Sequence, residues 1–86
     1  YASSLGQNYP NPFDKGTNIP FTISRAENVN LALYDVHGRL VRVLINGSKD
    51  GGEHIVHLDA GSLAKGVYFY KLRAGNFTQV KKLIIW

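Results

Sequence analysis

Residues 67–73 read VYFYKLR, and residues 74–76, AGN, follow directly. In an extended chain this stretch has one face of aromatic and aliphatic side chains, while Lys71 and Arg73 point out to water from the other face. The apolar face carries Tyr68, Tyr70 and Leu72. Glycine and asparagine accept the backbone angles of a tight turn. The stretch therefore predicts a strand, a hairpin turn at residues 74–76 and a returning strand from Phe77 to about Ile85.

The same alternation recurs upstream, in short runs separated by turn residues. The other predicted strands are Ile19–Ile23, Val29–Tyr34, Leu40–Ile45 and His54–Leu58, with a loop over residues 46–52. Pro20 has no N–H to donate, so its strand is expected at a sheet edge or to begin there. Strands about ten residues apart predict an all-β antiparallel sandwich, with a small barrel as the alternative. A seventh short strand is expected from the leader, residues 1–13.

The core predicted from this alternation draws on four strands. It contains Phe21, Leu31, Leu33, Val56, Leu58, Tyr68, Tyr70 and Leu72. A chain of 86 residues makes one domain with a single core and little room for a deep cleft. We expect the fold to stand on this core alone, because the chain has no cysteine for disulfides or thiolate chemistry.

No transmembrane segment is expected, because the longest apolar run, Leu83–Trp86, is far shorter than the roughly 20 residues that a membrane span needs. The absence of methionine, even at position 1, indicates a piece of a longer protein. Residues 1–7, with their serines and glycine, are interpreted as the end of an interdomain linker, and residues 8–86 as the domain.

The net charge of +4 is concentrated toward the end of the chain. Residues 60–86 contain five basic residues and no acidic residue. Such a segment can face an acidic protein, an anionic membrane or nucleic acid, or simply be a solvated face. Nucleic acid is disfavoured, because alternation places Tyr68 and Tyr70 on the face away from Lys71.

Candidate catalytic groups do not converge in the sequence. Asp50 and Glu53 lie in a glycine-rich loop without an apolar wall, and His54 and His57 would point to opposite faces of a strand. We therefore expect no enzyme activity, no cofactor and no metal site built from these histidines. Calcium at the loop carboxylates of Asp14, Asp35 or Asp59 stays open, since oxygen ligands on loops suffice for it.

Two prolines stiffen the N-terminal loop motif Asn8-Tyr9-Pro10-Asn11-Pro12-Phe13. Each proline favours an extended conformation at the residue before it. We expect this loop to hold Tyr9 and Phe13 over the open end of the core. The alternative is an exposed docking motif of prolines and aromatics.

Three features in this order resemble a known family: the loop motif, the segment LYDVHGR at residues 33–39, and GVYFYKL at residues 66–72 with KKLII at residues 81–85. Residues 5–86 are similar to the type A C-terminal sorting domain of proteins exported by the type IX (Por) secretion system of Bacteroidetes-type bacteria. Asp14-Lys15-Gly16 departs from the Asn-Pro that usually follows the phenylalanine. Trp86 replaces the commoner polar or basic last residue.

The resemblance implies an immunoglobulin-like β-sandwich of about seven short strands. It implies recognition in the periplasm, passage through the outer-membrane translocon with its shuttle proteins, cleavage by a sortase-like surface peptidase, and release or attachment at the cell surface. It also places the sorting signal in the last hairpin. The signal residues it indicates are Gly66, Tyr68, Gly75 and Lys82.

The chemistry of the last hairpin offers a rationale for this signal. A strand at a sheet edge exposes backbone groups that can pair with a receptor strand, and a basic face can steer it toward an acidic partner. The main alternative is a carbohydrate-binding or spacer module of a secreted hydrolase, with Tyr34, Phe69 and Trp86 as the aromatics that would contact sugar. A structural role like that of a flagellar hook-capping protein is a further alternative.

Overall fold

The computed structural model describes residues 2–86 and contains seven strands and no helix over that range. The strands are β1 (Ser4–Leu5), β2 (Gly16–Ile23), β3 (Glu27–Tyr34), β4 (Leu40–Lys49), β5 (Gly52–Asp59), β6 (Gly66–Ala74) and β7 (Phe77–Ile85). Every pair of neighbouring strands is antiparallel. The predicted all-β sandwich, with its seventh strand from the leader, is confirmed.

The strands form two sheets that pack face to face. One sheet has three strands in the order β1-β2-β5, and the other has four in the order β4-β3-β6-β7. β7 is therefore an edge strand of the larger sheet. Within residues 2–86, no helix is present that could span a membrane.

The core lies between the two sheets and follows the alternation read from the sequence. Tyr70, Leu31, Leu33 and Leu72 are completely buried, and the other predicted core residues are buried as well except Val56, which is half-buried and packs against the core. The largest sheet therefore contributes an aromatic and aliphatic inner layer, while Lys71 and Arg73 lie on its outer side.

The hairpin that joins β6 to β7 turns at Gly75 and Asn76, as predicted. Gly75 has a φ of +59°, a backbone angle that residues with a side chain adopt only with strain. The register pairs Ala74 with Phe77 at the turn and Gly66 with Ile85 at the other end, so the two strands run side by side over their whole length.

Pro20 does not mark an edge, and this expectation was wrong. Pro20 lies in the middle of β2, which is the central strand of its sheet, and pairs with Ile55 of β5. Its carbonyl accepts the Gly6 N–H at 2.8 Å, so its nitrogen points to the same side, toward the leader. The sheet tolerates the missing donor because β1 is only two residues long and ends at Leu5.

The expected loop over residues 46–52 was also too long. β4 continues to Lys49 and β5 begins at Gly52. The extension arises because β3 is long enough to pair with it, matching Asn30 with Asn46 and Glu27 with Lys49. The same pair of strands contains two irregularities in register, next to Ala32 and Tyr34.

Part of the segment that we assigned to a linker pairs with the sandwich. Ser4 and Leu5 pair with Thr22 and Phe21, and Leu5 is buried in the core. Tyr1 lies outside the described residues. The boundary between linker and domain at residue 7 remains a proposal.

Candidate functional site

The leader runs along the edge of β7 and joins the two ends of the chain. Phe13 forms a parallel bridge with Ile85. The Phe13 N–H donates to the Ile84 carbonyl at 3.1 Å, and the Trp86 N–H donates to the Phe13 carbonyl at 2.9 Å. The N-terminal loop motif and the terminal apolar run therefore form one surface.

Two leader side chains add hydrogen bonds to the same strand edge. The Gln7 Nε2 donates to the Lys82 carbonyl at 2.8 Å, and the Asn11 Oδ1 accepts the Ile84 N–H at 3.0 Å. The edge of β7 that we expected to be bare is thus covered from Lys82 onward. In the preceding part of β7, the Gln79 side-chain Oε1 accepts the Leu5 N–H at 3.1 Å.

A buried polar cluster holds the leader down on the sandwich. The Tyr70 hydroxyl donates to the Gly6 carbonyl at 2.8 Å and accepts the Asn8 N–H at 2.9 Å. The Asn8 amide donates to the Thr17 hydroxyl, and that hydroxyl donates to the Pro10 carbonyl at 2.8 Å. Burial raises the pKa of Tyr70, partly offset by the Asn8 N–H. Because each of these groups is paired, the cluster is compatible with a dry interior.

The loop motif closes the core with Phe13 but not with Tyr9, so half of that expectation was wrong. Phe13 is buried, whereas the Tyr9 side chain is 49% exposed. The reason is the local pairing, because the Tyr9 N–H and carbonyl both bond to Asn18. Alternation along this bridged segment turns Asn8 inward and Tyr9 outward. The motif contains cis peptide bonds before both Pro10 and Pro12.

The four proposed signal residues lie along the terminal hairpin and do not converge on one point. Gly66 begins β6 with a φ of +146°, and Gly75 lies in the turn at the opposite end. Tyr68 is buried, and its hydroxyl donates to the Ala64 carbonyl at 2.6 Å. Lys82 is exposed on the outer face opposite Phe69. Among these four residues, the only side chain that a partner can reach directly is that of Lys82.

Adjacent lysines of the terminal run point to opposite sides. Lys81 pairs with Tyr70 on the inner side of the strand, and Lys82 pairs with Phe69 on the outer side. An inward-pointing lysine on an edge strand discourages the addition of further strands. Lys82 therefore belongs to the outer basic face, and Lys81 does not.

The candidate catalytic and metal-binding groups remain apart. His54 stacks on Phe21 with ring centroids 5.1 Å apart, while His57 contacts the Asn18 side chain on the other face, as expected. The carboxylates of Asp35 and Asp59 accept backbone N–H groups of their own turns. No cluster of three or more metal-ligating side chains occurs in the range 2–86.

The aromatics proposed for sugar contact are partly brought together. Tyr34 and Phe69 are register partners on neighbouring strands, although 35 positions separate them in sequence. The Lys71 ammonium lies 5.3 Å from the centre of the Tyr34 ring. Trp86 follows the end of β7 and is 66% exposed.

Sequence reasoning named Asn11 as part of the loop motif but missed the other groups that fasten the leader, namely Gln7, Thr17 and the Tyr70 hydroxyl. Their polarity inside or beside an apolar pattern was the only signal available. Their partners lie as far as 75 positions away, and no local pattern connects such residues.

These features define a small immunoglobulin-like β-sandwich whose first and last segments form one surface. The family model described as secretion system C-terminal sorting domain matches residues 7–86, nearly the whole chain. The chain belongs to this family and is a type IX secretion sorting domain. A search of curated protein sequences finds no match to it.

Proposed function

We propose that this domain directs its parent protein through the outer-membrane type IX translocon, and that the parent is then cleaved upstream of residue 8 and attached to the cell surface. Membership of the sorting-domain family implies the coarser part, which is export by type IX machinery to the surface or the medium. Domains of this family are in general not catalytic, and we propose that this one acts only as an export signal. The shuttle proteins and a sortase-like surface peptidase are its proposed partners.

The observation that carries the proposal is the joining of two segments that resemble the family. The loop motif at residues 8–13 covers the strand that contains Lys82 and the terminal apolar run. A receptor that contacts this edge would therefore meet both segments at once. This arrangement supports a signal that is present only when the domain is folded.

Within the signal, the four residues have different proposed roles. Lys82 is the proposed contact residue, because its compact ammonium is exposed and suits an acidic receptor. Gly66 and Gly75 set positive backbone angles at the two ends of β6. Tyr68 acts through folding, because its side chain is buried.

The test is a secreted reporter fused to residues 1–86 in a host with type IX secretion. Wild type should reach the surface or medium, and Lys82→Ala should accumulate in the periplasm. Lys49→Ala is the matched control, because Lys49 is exposed on β4 at the far edge of the same sheet. Both variants are checked for a wild-type thermal transition.

Deleting residues 81–86 is a poorer test than the single substitution. The deletion removes the buried side chains of Leu83 and Ile85 together with the contacts to Phe13, so loss of folding would mimic loss of the signal. If folded Lys82→Ala is exported at the wild-type rate, the terminal-signal proposal fails and a spacer role becomes the better account.

A further inference from the structure

The outer face of the four-stranded sheet gathers exposed apolar side chains. Four of the eight large hydrophobic residues that are exposed among residues 2–86 lie on or beside it. They are Val36, Leu40, Val43 and Val80, with exposures of 58%, 57%, 47% and 50%. Solvated sheet faces normally carry polar residues in alternation with the core, so this clustering indicates a surface with a second use.

The strand register brings Leu40, Val43 and Val80 into two rows across the sheet. One row is Leu40, Tyr34, Phe69 and Lys82, and the other is Val43, Ala32, Lys71 and Val80. Ala32 is almost completely buried although it points away from the core, so its neighbours pack over it. Six of the eight residues in these rows are apolar or aromatic, and we call the two rows, together with Val36 beside them, the outer patch.

The charges of the outer patch are basic. Lys71 and Lys82 lie within its rows, and Arg73 follows Lys71 on the same face of β6. Asp35, beside the patch, accepts hydrogen bonds from the backbone and the Nε of Arg39, which keeps its pKa below the usual range. The outer face of β5, across the sandwich, instead carries Glu53 and Asp59.

The shape of the patch favours a polypeptide partner. An open groove of about 310 Å³ is lined by Tyr34, Asp35, Val36, Gly38, Phe69, Lys71 and Val80. A protruding apolar side chain can enter this groove. The Lys71 ammonium covers one side of the Tyr34 ring, which takes that side away from sugar stacking.

We propose that the outer patch binds an acidic amphipathic polypeptide segment, with an aliphatic side chain in the groove and a carboxylate opposite Lys71. Charge complementarity selects an acidic partner, and the apolar rows supply the area that such a partner covers. This interaction goes beyond export and does not require the Lys82 signal to be correct.

The probe is a synthetic peptide in which every second residue is taken in turn from the series Leu, Glu, Leu, and the residues between them are Ser or Thr. It is titrated into the isotope-labelled domain by NMR, beside matched peptides with Glu replaced by Lys or Leu replaced by Ser. The Glu peptide should shift the amides of Tyr34, Lys71 and Val80 and bind at least about tenfold more tightly than either control peptide.

Two variants locate the binding. Lys71→Glu should remove the preference for the Glu peptide, with Lys71→Gln as a second variant that should reduce it, because Lys82 and Arg73 remain on the same face. Val80→Thr should weaken binding about tenfold, whereas Ile55→Thr, at another exposed residue but on the three-stranded sheet, should not. All variants are compared for thermal unfolding.

Three results would overturn the proposal. The first is no shift in the outer patch with the Glu peptide up to its solubility limit. The second is equal loss of binding in Val80→Thr and Ile55→Thr. The third is stronger binding to phosphatidylglycerol vesicles or to soluble polygalacturonate than to the peptide, which would assign the patch to a membrane or a polysaccharide instead. Export of Lys82→Ala is measured separately, so either proposal can fail alone.

Discussion

The Asn11 side chain accepts the backbone N–H of Ile84 at 3.0 Å and so connects the leader to the last strand across 73 positions of sequence. This contact matters because an edge strand with free backbone groups invites further pairing. At the end of β7 these backbone groups are paired by three leader residues, Gln7, Asn11 and Phe13. Pairing of a foreign strand there would require the leader to move aside.

Asn11→Ala should loosen this end of β7 without unfolding the domain. Loss of this hydrogen bond costs about 1 kcal/mol, so the Ile84 amide should exchange with solvent about fivefold faster. Residue-resolved hydrogen exchange by NMR measures the rate. Asn46→Ala, at an exposed position of β4, serves as the control and should leave the Ile84 amide unchanged. An unaltered exchange rate in Asn11→Ala would show that the leader is held without this contact.

Tyr70→Phe should destabilise the domain by about 1–3 kcal/mol at neutral pH, because the Gly6 carbonyl and the Asn8 N–H lose their buried partner. The pKa of Tyr70 is raised above 10.0 in the folded state. The stabilisation is therefore complete below pH 10 and declines as the pH rises through the folded-state pKa, since the unfolded chain releases that proton first.

Urea unfolding from pH 7 to pH 11 measures the difference in the free energy of unfolding between wild type and Tyr70→Phe. This difference should become smaller above pH 10, whereas the exposed control Tyr9→Phe should have the same free energy of unfolding as wild type at every pH. A constant difference across the range would mean that the hydroxyl does not titrate differently in the two states.

Gly75→Ala should destabilise the domain by about 1 kcal/mol or more, because its φ of +59° strains any residue with a side chain. A β-carbon at this position would also collide with the Glu27 carboxylate. Gly47→Ala is the matched control, since it meets open space and its φ is not positive, and it should change stability by less than about 0.5 kcal/mol.

The double variant Glu27→Ala with Gly75→Ala separates collision from backbone strain. If the double variant regains the stability of Glu27→Ala alone, the carboxylate rather than the turn is responsible. Thermal unfolding of the four proteins provides the comparison. Equal melting temperatures of Gly75→Ala and Gly47→Ala would contradict the assigned turn.

Much of the fold was readable from alternation because strands place successive side chains on opposite faces. The inward sets Tyr68, Tyr70 and Leu72 or Ile19, Phe21 and Ile23 are buried where the pattern put them. The pattern gave wrong predictions where pairing between distant strands determines the length of a strand or its place in the sheet. β4 extends through Gly47 because β3 lies beside it, and Pro20 occupies a central strand because the short β1 leaves its nitrogen side open.

The sequence by itself determined the all-β class, the position of the terminal turn, the inner faces of β2, β3, β5 and β6, and the family resemblance. These depend on local periodicity, turn residues and motif spacing, all of which are properties of neighbouring positions. Only the tertiary structure decided that the leader covers the end of β7, that Asn8 rather than Tyr9 turns inward, and that Tyr34 and Phe69 meet in the outer patch. Strand register across the sheet determines these contacts, and register depends on long-range packing that no short stretch of sequence contains.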